Sequence, residues 1–293
     1  MGAYACRGHA RADKCNSLWW WYTIKNTNST LLDSSLITAY RDKYQAKIIR
    51  CGDYIQLYFY EYPKTKKQTK EKKDIDFLFK SENIEKKDEF QTIEHKNAMR
   101  SLFSLQRLVK TNEPKFINGT FITLTFKNTD KFNINDIKTT NKKFHSWVTN
   151  IRKLKKDFTC IYVPEFQKRG AVHYHLITNL NINEDVNIIL PQIDKENCYD
   201  VKYWSHGFSS VFPLKDMNVV GYISKYMTKD IDNRLFGKRR YSYCGDIEKP
   251  IEDYIDLEKH PNYIEQLTQN KDLKYYNNYL DYFGNNVKFI EMK

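Results

Sequence analysis

Residues 160–178 read CIYVPEFQKRGAVHYHLIT, and this stretch decides the fold. Two runs rich in β-branched and aromatic residues, Cys160–Gln167 and Ala171–Thr178, flank a short segment that ends in Gly170. A three-residue loop with glycine at the position that needs a positive φ commonly joins two antiparallel strands. The sequence therefore predicts a β-hairpin whose loop is Lys168-Arg169-Gly170.

The hairpin register predicts a metal site. If the loop is centred on Arg169, Glu165 lies directly across from His173, and His175 projects from the same face of the sheet because strand side chains alternate. Two imidazoles and one carboxylate are suitable ligands for a single ion, and three protein ligands leave coordination positions open, as catalytic sites require. With only seven histidines in 293 residues, an H-x-H pair is uncommon by chance. The alternative is a pair of structural histidines, which the opposed Glu165 disfavours.

The surrounding sequence predicts an α+β fold with a central antiparallel sheet flanked by helices. Short β-type runs alternate with segments of helical periodicity on both sides of the hairpin. The expected strands are 51–62, 121–126 and 209–212, and the expected helices are 92–112, 137–154 and about 215–230. In the helix at 137–154, the apolar stripe contains Phe144, Trp147, Val148, Ile151 and Leu154.

The helix at 92–112 has two faces of opposite character. Ala98, Leu102, Leu105 and Val109 share an apolar face, whereas the other face is basic, with Lys96, Arg100, Ser104 and Arg107. A basic stripe on a packed helix suits phosphate contacts, although an ordinary amphipathic surface helix remains an equal alternative. We expect DNA contacts from Lys96, Arg100, Arg107 and the hairpin-loop residue Arg169.

A tandem tyrosine motif lies in GYISKYMTKD, residues 221–230. Y-x-x-K occurs there twice, at Tyr222/Lys225 and Tyr226/Lys229, and on a helix these four side chains fit within an arc of about 100°. The opposite side of that helix is apolar and can pack on a sheet. A similar tandem pair occurs at Tyr40/Lys43 and Tyr44/Lys47, but there the tyrosines share a face with apolar residues, which favours simple packing.

Tyrosine hydroxyls with nearby lysines can perform phosphoryl-transfer chemistry. A phenol has a pKa of about 10 and is a poor nucleophile at neutral pH. A divalent cation can neutralise and orient a phosphodiester, and a nearby ammonium group stabilises phenolate and transition-state charge. Two tyrosines one helical turn apart would permit two successive transfers.

Composition and charge restrict the class of protein. The 293 residues contain 22 Tyr, 17 Phe and 5 Trp, which excludes a disordered or collagen-like chain. The formal net charge is +12; residues 246–293 carry −4, so the first 245 carry +16, which suits a polyanion-binding surface.

No run approaches the ~20 apolar residues of a membrane span, and no signal peptide is evident, so we expect a soluble protein. The six cysteines show no disulfide or zinc spacing, and Cys6, His9 and Cys15 do not complete a metal knuckle.

Four motifs in fixed order resemble the HUH-type rolling-circle replication initiators, in particular the replication proteins of microviruses (gokushovirus-like single-stranded DNA phages) and related plasmids. The resemblance covers about residues 95–230. Its motifs are TLTF at 123–126, ExQKRGAVHYH at 165–175, WxxGF at 204–208 and GYISKYMTK at 221–229.

The resemblance implies a role for each matching residue. Glu165, His173 and His175 would be the metal ligands, Tyr222 and Tyr226 the nucleophile candidates, and Lys225 and Lys229 the assisting cations. It further implies Mg²⁺ or Mn²⁺ as cofactor, although two imidazoles also suit Zn²⁺. The implied activity is origin nicking of single-stranded DNA through a 5′-phosphotyrosine, which leaves a 3′-OH for the host polymerase. Because no P-loop is present, a host helicase would unwind the DNA, in the cytoplasm of a bacterial cell.

We expect three regions along the chain: an N-terminal extension with a β-hairpin (1–94), a nicking domain (95–245) and an acidic, helical C-terminal tail (246–293). The N-terminal extension could clamp DNA or bind another protein. Three alternatives to the leading interpretation stay open: a relaxase-like mobilisation protein that uses Tyr40 and Tyr44, a non-catalytic DNA-binding replication regulator, and a zinc hydrolase of small substrates.

Overall fold

Two antiparallel sheets form the framework of the molecule in the computed structural model. The described residues are 43–65, 86–128, 133–167, 170–192, 198–215, 217–228, 239–281 and 283–293, with side chains of the first helix described from residue 95. The described residues from Tyr44 to Lys293 belong to one compact unit. The expected α+β class, with antiparallel sheets flanked by a few helices, is confirmed.

The seven-stranded sheet contains the predicted hairpin. Its strands, in spatial order, are β6 (Ile189–Pro191), β7 (Tyr199–Val201), β8 (Ser209–Pro213), β3 (Thr120–Leu124), β5 (Val172–Thr178), β4 (Cys160–Phe166) and β9 (Ser242–Cys244). The β4–β5 register pairs Glu165 with His173, as the sequence predicts. Every residue of β4 and β5 is buried, which explains their apolar sequences.

Helices cover both faces of the seven-stranded sheet. Helix α3 (Ile137–Leu154) packs on one face with Phe144, Trp147 and Ile151 against Tyr174 and Leu176 of β5. It begins at Asp136, whose carboxylate accepts hydrogen bonds from the backbone N–H groups of Lys138 and Thr139. Its bounds agree with the prediction, but Leu154 is 37% exposed, because it is the last helical residue and extends beyond the sheet.

The opposite face supports helices α1 (Lys86–Thr111) and α4 (Val219–Thr228), and the short α2 (Glu113–Phe116) follows α1. The predicted apolar stripe of α1 is confirmed, since Ala98, Leu102, Leu105 and Val109 are all buried. Helix α4 buries Ile223 and Met227 in the same cluster as Phe121 of β3. This face also carries Glu165, His173 and His175, because strand residues two apart share a face.

A second, five-stranded sheet has the order β10 (Ile251–Ile255), β1 (Lys43–Cys51), β2 (Tyr54–Thr65), β12 (Asn286–Met292) and β11 (Leu273–Leu280). Helix α5 (Tyr263–Thr268) covers one of its faces and packs on Ile48 and Leu57. The strand expected at 51–62 is displaced, because Gly52 and Asp53 form a turn that leaves Cys51 on β1.

The C-terminal segment differs from the sequence expectation. Residues 246–293 were expected to form a helical tail, but they supply β10, β11 and β12 and only the short α5. The physical reason is long-range pairing: β12 pairs along the whole apolar part of β2, with Ile290 opposite Leu57. The division of the chain into three regions stays a prediction. No helix within the described ranges is long and apolar enough to span a membrane.

Candidate metal and nucleophile site

The β4–β5 hairpin carries all three candidate ligands. The backbone N–H of Gly170 donates to the carbonyl of Gln167 at 2.7 Å, and Gly170 has a φ of +93°, which confirms the predicted glycine turn. The N–H of Gln167 donates to the carbonyl of Ala171 at 2.9 Å, which fixes the register below the loop. Arg169, expected to contact DNA, lies outside the described residues.

Glu165, His173 and His175 form a buried cluster. One ligand atom from each lies within 4.8 Å of the others, and their exposed fractions are 8%, 8% and 4%. His175 Nε2 lies 2.6 Å from Glu165 Oε2. Two imidazoles and a carboxylate so arranged could hold a metal ion.

Thr123 of β3 supports His175 from the other side. Its Oγ1 lies 3.2 Å from His175 Nδ1, and the two residues are paired across β3 and β5. A hydrogen bond at one imidazole nitrogen fixes the ring orientation and leaves the other nitrogen to face a ligand. The TLTF motif thus contributes an orienting group to the cluster.

The two tyrosines of α4 lie over the same face of the sheet. Tyr226 stacks on His175, with ring centroids 3.6 Å apart and an interplanar angle of 17°. Tyr222 contacts Tyr226 edge-on at 5.8 Å and Phe121 at 4.6 Å. Both tyrosines are half-buried rather than fully exposed. The structure therefore brings the predicted tyrosine pair and the predicted histidine pair together.

Tyr226 is a neutral phenol at physiological pH. Burial raises its pKa well above 10, and a hydrogen bond with Tyr222 and the charge of Glu165 raise it further. The carboxylate of the cluster is therefore close enough to interact electrostatically with the phenol. A cation at the cluster would oppose this effect, because it would favour the charged phenolate.

One of the two lysines of the tandem motif lies within the described residues. Lys225 Nζ lies 5.0 Å from the centre of the Tyr222 ring, in cation–π geometry, and its side chain is exposed. Lys229 lies outside the described residues.

Sequence reasoning missed Arg240. This arginine is only 6% exposed and lines a small cleft together with Glu165, Tyr226 and Met227. No motif or spacing singles it out in GKRRYSYC, where Lys238 and Arg239 precede it. Its burial beside Glu165 and Tyr226 in the structure is what identifies it.

The basic residues of α1 that we expect to contact DNA do not share one environment in the structure. Arg100 is exposed and donates to Asn97 Oδ1 at 3.4 Å, and Lys96 is exposed as well. Arg107 instead turns towards the five-stranded sheet, where its guanidinium donates to Gln56 Oε1 at 2.8 Å and to Tyr58 Oη at 2.6 Å. DNA contact by any of the three stays a prediction.

The remaining histidine and tyrosine candidates lie elsewhere. His206 stacks on Phe126 at 6.4 Å and lies edge-on to Trp204 at 5.3 Å; burial and the charge of Lys143 lower its pKa. Tyr44 lies on β1, where it packs against Tyr60 and Tyr254, which agrees with a packing role. Tyr40, Cys6, His9 and Cys15 are outside the described residues.

A family model described as replication-associated protein ORF2/G2P matches residues 119–231. Residues 119–231 are similar to replication-associated proteins. The matched segment runs from β3 through α4, so it contains the Glu-His-His cluster and both tyrosines. The match supports a role in DNA replication of a phage or plasmid type. No curated protein and no solved structure matches the chain.

Proposed function

We propose that the chain is an HUH-type replication initiator: a metal-dependent, site-specific single-strand DNA endonuclease and strand transferase that starts rolling-circle replication. The observation that carries this proposal is the stacking of Tyr226 on His175 at 3.6 Å, which sets a phenol against a buried Glu-His-His cluster. The similarity of residues 119–231 to replication-associated proteins favours DNA as the substrate.

The proposed reaction joins a tyrosine of this site to the DNA. The phenol oxygen of Tyr226 or Tyr222 attacks the scissile phosphorus, a P–O bond to tyrosine forms, and the bond to the 3′ oxygen breaks. The phenol loses its proton to solvent, and the departing 3′ oxygen gains one. The products are a 5′-phosphotyrosine and a free 3′-OH.

The two tyrosines would act in succession. Tyr222 and Tyr226 lie on one face of α4 with ring centroids 5.8 Å apart, so a second phenol is available while the first is esterified. The ammonium group of Lys225 lies beside Tyr222 and would stabilise negative charge near that hydroxyl. We assign the same role to Lys229.

Glu165, His173 and His175 would hold the divalent cation. Their donor atoms and burial fit Mn²⁺ or Mg²⁺, with Zn²⁺ also compatible. When bound, the cation would neutralise the charge of the DNA phosphate. The partners that follow from this activity are origin DNA and the host helicase and polymerase, in the cytoplasm of a bacterial cell.

Formation of a covalent adduct tests the proposal. The full chain is incubated with Mn²⁺ and a pool of random single-stranded oligonucleotides, and denaturing gel electrophoresis then separates protein–DNA adducts. We expect an adduct that EDTA abolishes, that Tyr222→Phe/Tyr226→Phe eliminates, and that Tyr44→Phe leaves intact. The Tyr44 variant is a control, because it removes a phenol hydroxyl from a packed ring on β1 instead of from α4.

The same experiment separates the alternative of a non-catalytic DNA-binding regulator. A regulator would bind the oligonucleotides equally with and without EDTA and would form no adduct. An adduct that persists in the double variant would contradict the assignment of the nucleophile.

A further inference from the structure

Aromatic side chains from all five strands lie on one face of the five-stranded sheet. The strand registers place Tyr254 beside Lys47, Tyr58 beside Phe289, and Tyr60 beside Val287, which in turn pairs with Tyr279. We name this surface the aromatic face. It consists of Tyr254 on β10, Tyr44 on β1, Tyr58 and Tyr60 on β2, Phe289 on β12, and Tyr275 and Tyr279 on β11.

The rings of the aromatic face are in contact with one another. Tyr44 lies 4.7 Å from Tyr254 and 5.7 Å from Tyr60, and Phe289 lies 4.8 Å from Tyr58 and 5.9 Å from Tyr275. These contacts join all five strands in four pairs of neighbours, from β10 to the edge strand β11. The rings are half-buried towards β10, whereas Tyr275 and Tyr279 are 52% and 41% exposed.

Cations lie over these rings. Lys64 Nζ is 4.6 Å from the centre of Tyr60, and Lys47 Nζ is 5.4 Å from the centre of Tyr254. The guanidinium of Arg107 lies 5.9 Å from the centre of Tyr58. The two lysines also pair with carboxylates, Lys47 with Glu252 and Lys64 with Asp281. A ligand of this face would therefore gain more from contact with the rings than from charge neutralisation.

The opposite face of the sheet has a different character. There, Ile48, Ile55 and Leu57 are buried beneath α5 and form an ordinary apolar core. The aromatic face differs from such a core, because six of its seven rings are tyrosines, cations lie over three of them, and Tyr275 and Tyr279 are exposed.

Helix α1 connects the aromatic face to the candidate nicking site. Gln106 Nε2 donates to Ser224 Oγ at 3.2 Å, and Ser224 lies on α4 between the two candidate nucleophiles. The next residue of α1, Arg107, bonds to Tyr58 of the aromatic face. Helix α1 therefore contacts both α4, which carries the candidate nucleophiles, and the aromatic face.

We propose that the aromatic face is a second binding site for single-stranded DNA, which holds unpaired bases by stacking on its tyrosines. Every base offers a planar surface, so a row of rings with adjacent cations binds single strands with little sequence preference. The chain's formal net charge of +12 favours a polyanion as the occupant. The choice of DNA rests on the proposed function.

Two variants of the edge strand β11 test this binding site. Tyr275→Ala/Tyr279→Ala removes the two exposed rings of the aromatic face, and Tyr276→Ala/Leu280→Ala is the matched control. Tyr276 and Leu280 lie on the same strand, are 51% and 64% exposed, and point to the opposite face. Fluorescence anisotropy with a labelled 30-nucleotide oligo(dT) gives the dissociation constant for each full-length protein.

We expect the Tyr275→Ala/Tyr279→Ala variant to bind oligo(dT) at least about tenfold more weakly, because it loses two rings on which bases would stack. Tyr275→Phe/Tyr279→Phe should restore binding, since stacking needs the ring and not the hydroxyl. Duplex DNA should not compete, because its bases are already stacked.

Three results of the binding measurements would overturn the proposal. They are an unchanged affinity in the alanine variant, an equal loss in the control variant, or tighter binding of the corresponding RNA than of DNA. A change of oligomeric state by size-exclusion chromatography, confined to the Tyr275/Tyr279 variant, would identify the face as a contact between copies and would also overturn it.

The nicking activity is tested separately from this site. If an adduct forms but the alanine variant binds oligo(dT) normally, the aromatic face fails and the proposed function stands. If binding depends on the rings but no adduct forms, the proposed function fails and the aromatic face stands as a binding site.

Discussion

At the scale of single residues, the candidate site depends on contacts between side chains. His175 contacts Glu165, Thr123 and Tyr226 at once, so one imidazole joins the ligand cluster, its orienting hydroxyl and the candidate nucleophile. The sequence could predict the ligand set, because the hairpin register follows from the alternation of strand side chains. It could not predict that Tyr226, rather than Tyr222, stacks on His175, because that contact depends on how α4 packs over the sheet.

Replacing Thr123 should weaken metal binding without unfolding the protein. Thr123→Val removes the hydroxyl near His175 Nδ1, so the ring loses the group that orients it; such losses cost about 10–100-fold in metal affinity. Isothermal titration with Mn²⁺ measures the effect. Thr120→Val is the matched control, because it removes a 2.8 Å buried hydroxyl contact with Thr178 on the same strand, away from the cluster. Equal affinities in the two variants would contradict the role of Thr123.

Arg240 should be needed for adduct formation but not for metal binding. Its buried guanidinium lines the cleft beside Glu165 and Tyr226, and a planar fork of donors suits phosphate oxygens better than an ammonium group does. We expect Arg240→Lys to lower the rate of adduct formation at least about tenfold. The exposed neighbour Arg239 provides the control variant Arg239→Lys. A normal rate in Arg240→Lys would exclude a phosphate contact.

At the scale of structural elements, local sequence signals predict some elements well and others poorly. Helix α3 follows its apolar periodicity and its Asp136 cap, and its bounds were predicted without error. The strands β11 and β12 carried a readable signal in LKYYNNYL and NVKFIEM, separated by a turn with Gly284, but the acidic composition of this region favoured a helical tail. Charge is a weak guide to secondary structure when the pairing partner, here β2, is more than 200 residues away in sequence.

The turn of the β4–β5 hairpin should control the metal site. Gly170 has a φ of +93°, and an added Cβ would lie 3.0 Å from Asn135 Oδ1, so Gly170→Ala strains the loop that sets Glu165 opposite His173. We expect a loss of about 1–2 kcal/mol of unfolding free energy in urea and weaker Mn²⁺ binding.

Gly284→Ala is the control for this turn. Gly284 has a φ of +78° with no atom near the added Cβ, and it lies in the β11–β12 turn. The Gly284→Ala variant should therefore be less stable than the unchanged protein but should bind Mn²⁺ with the same affinity. If both glycine variants bound Mn²⁺ as well as the unchanged protein, the hairpin turn would not position the ligands.

At the scale of the whole molecule, helix α1 joins the two sheets. Leu102 and Leu105 pack in the cluster on the seven-stranded sheet, while Lys110 pairs with Glu291 of β12 at 2.6 Å. This arrangement was not predictable from sequence, because the partners of the basic face of α1 come from both ends of the described chain.

Breaking the ion pair of Lys110 should destabilise the molecule strongly. Both side chains are only 13% exposed, and Lys110→Met leaves the Glu291 carboxylate buried without its cation, at a cost of about 3 kcal/mol. Urea unfolding followed by circular dichroism measures this cost. Lys115→Met is the comparison, because Lys115 pairs with the 89% exposed Asp246 and should lose less than about 1 kcal/mol. Similar losses in the two variants would show that α1 does not depend on the buried pair.

Alkaline pH should reduce stability. Burial, followed by the hydrogen bond to Glu252 and the Glu252 charge, raises the pKa of Tyr254 to about 12, and burial also raises the pKa of Tyr60 and Tyr174. These phenols ionise first in the unfolded chain, near pH 10, so the stability they contribute is complete below pH 10 and decreases as the pH rises above it. The urea midpoint should therefore decrease between pH 10 and about 12, and less steeply in Tyr254→Phe. A midpoint independent of pH in this window would contradict these shifts.

The central claim is that a tyrosine of α4 becomes covalently joined to DNA, and identification of the DNA-linked peptide tests it most directly. Trypsin cleaves after Lys215, Lys225 and Lys229, so it separates Tyr222, in residues 216–225, from Tyr226, in residues 226–229. After reaction with Mn²⁺ and the oligonucleotide pool, mass spectrometry should find a nucleotide adduct on one of these two peptides and on no other. An adduct on any other peptide, or none under conditions in which Mn²⁺ binds, would contradict the account.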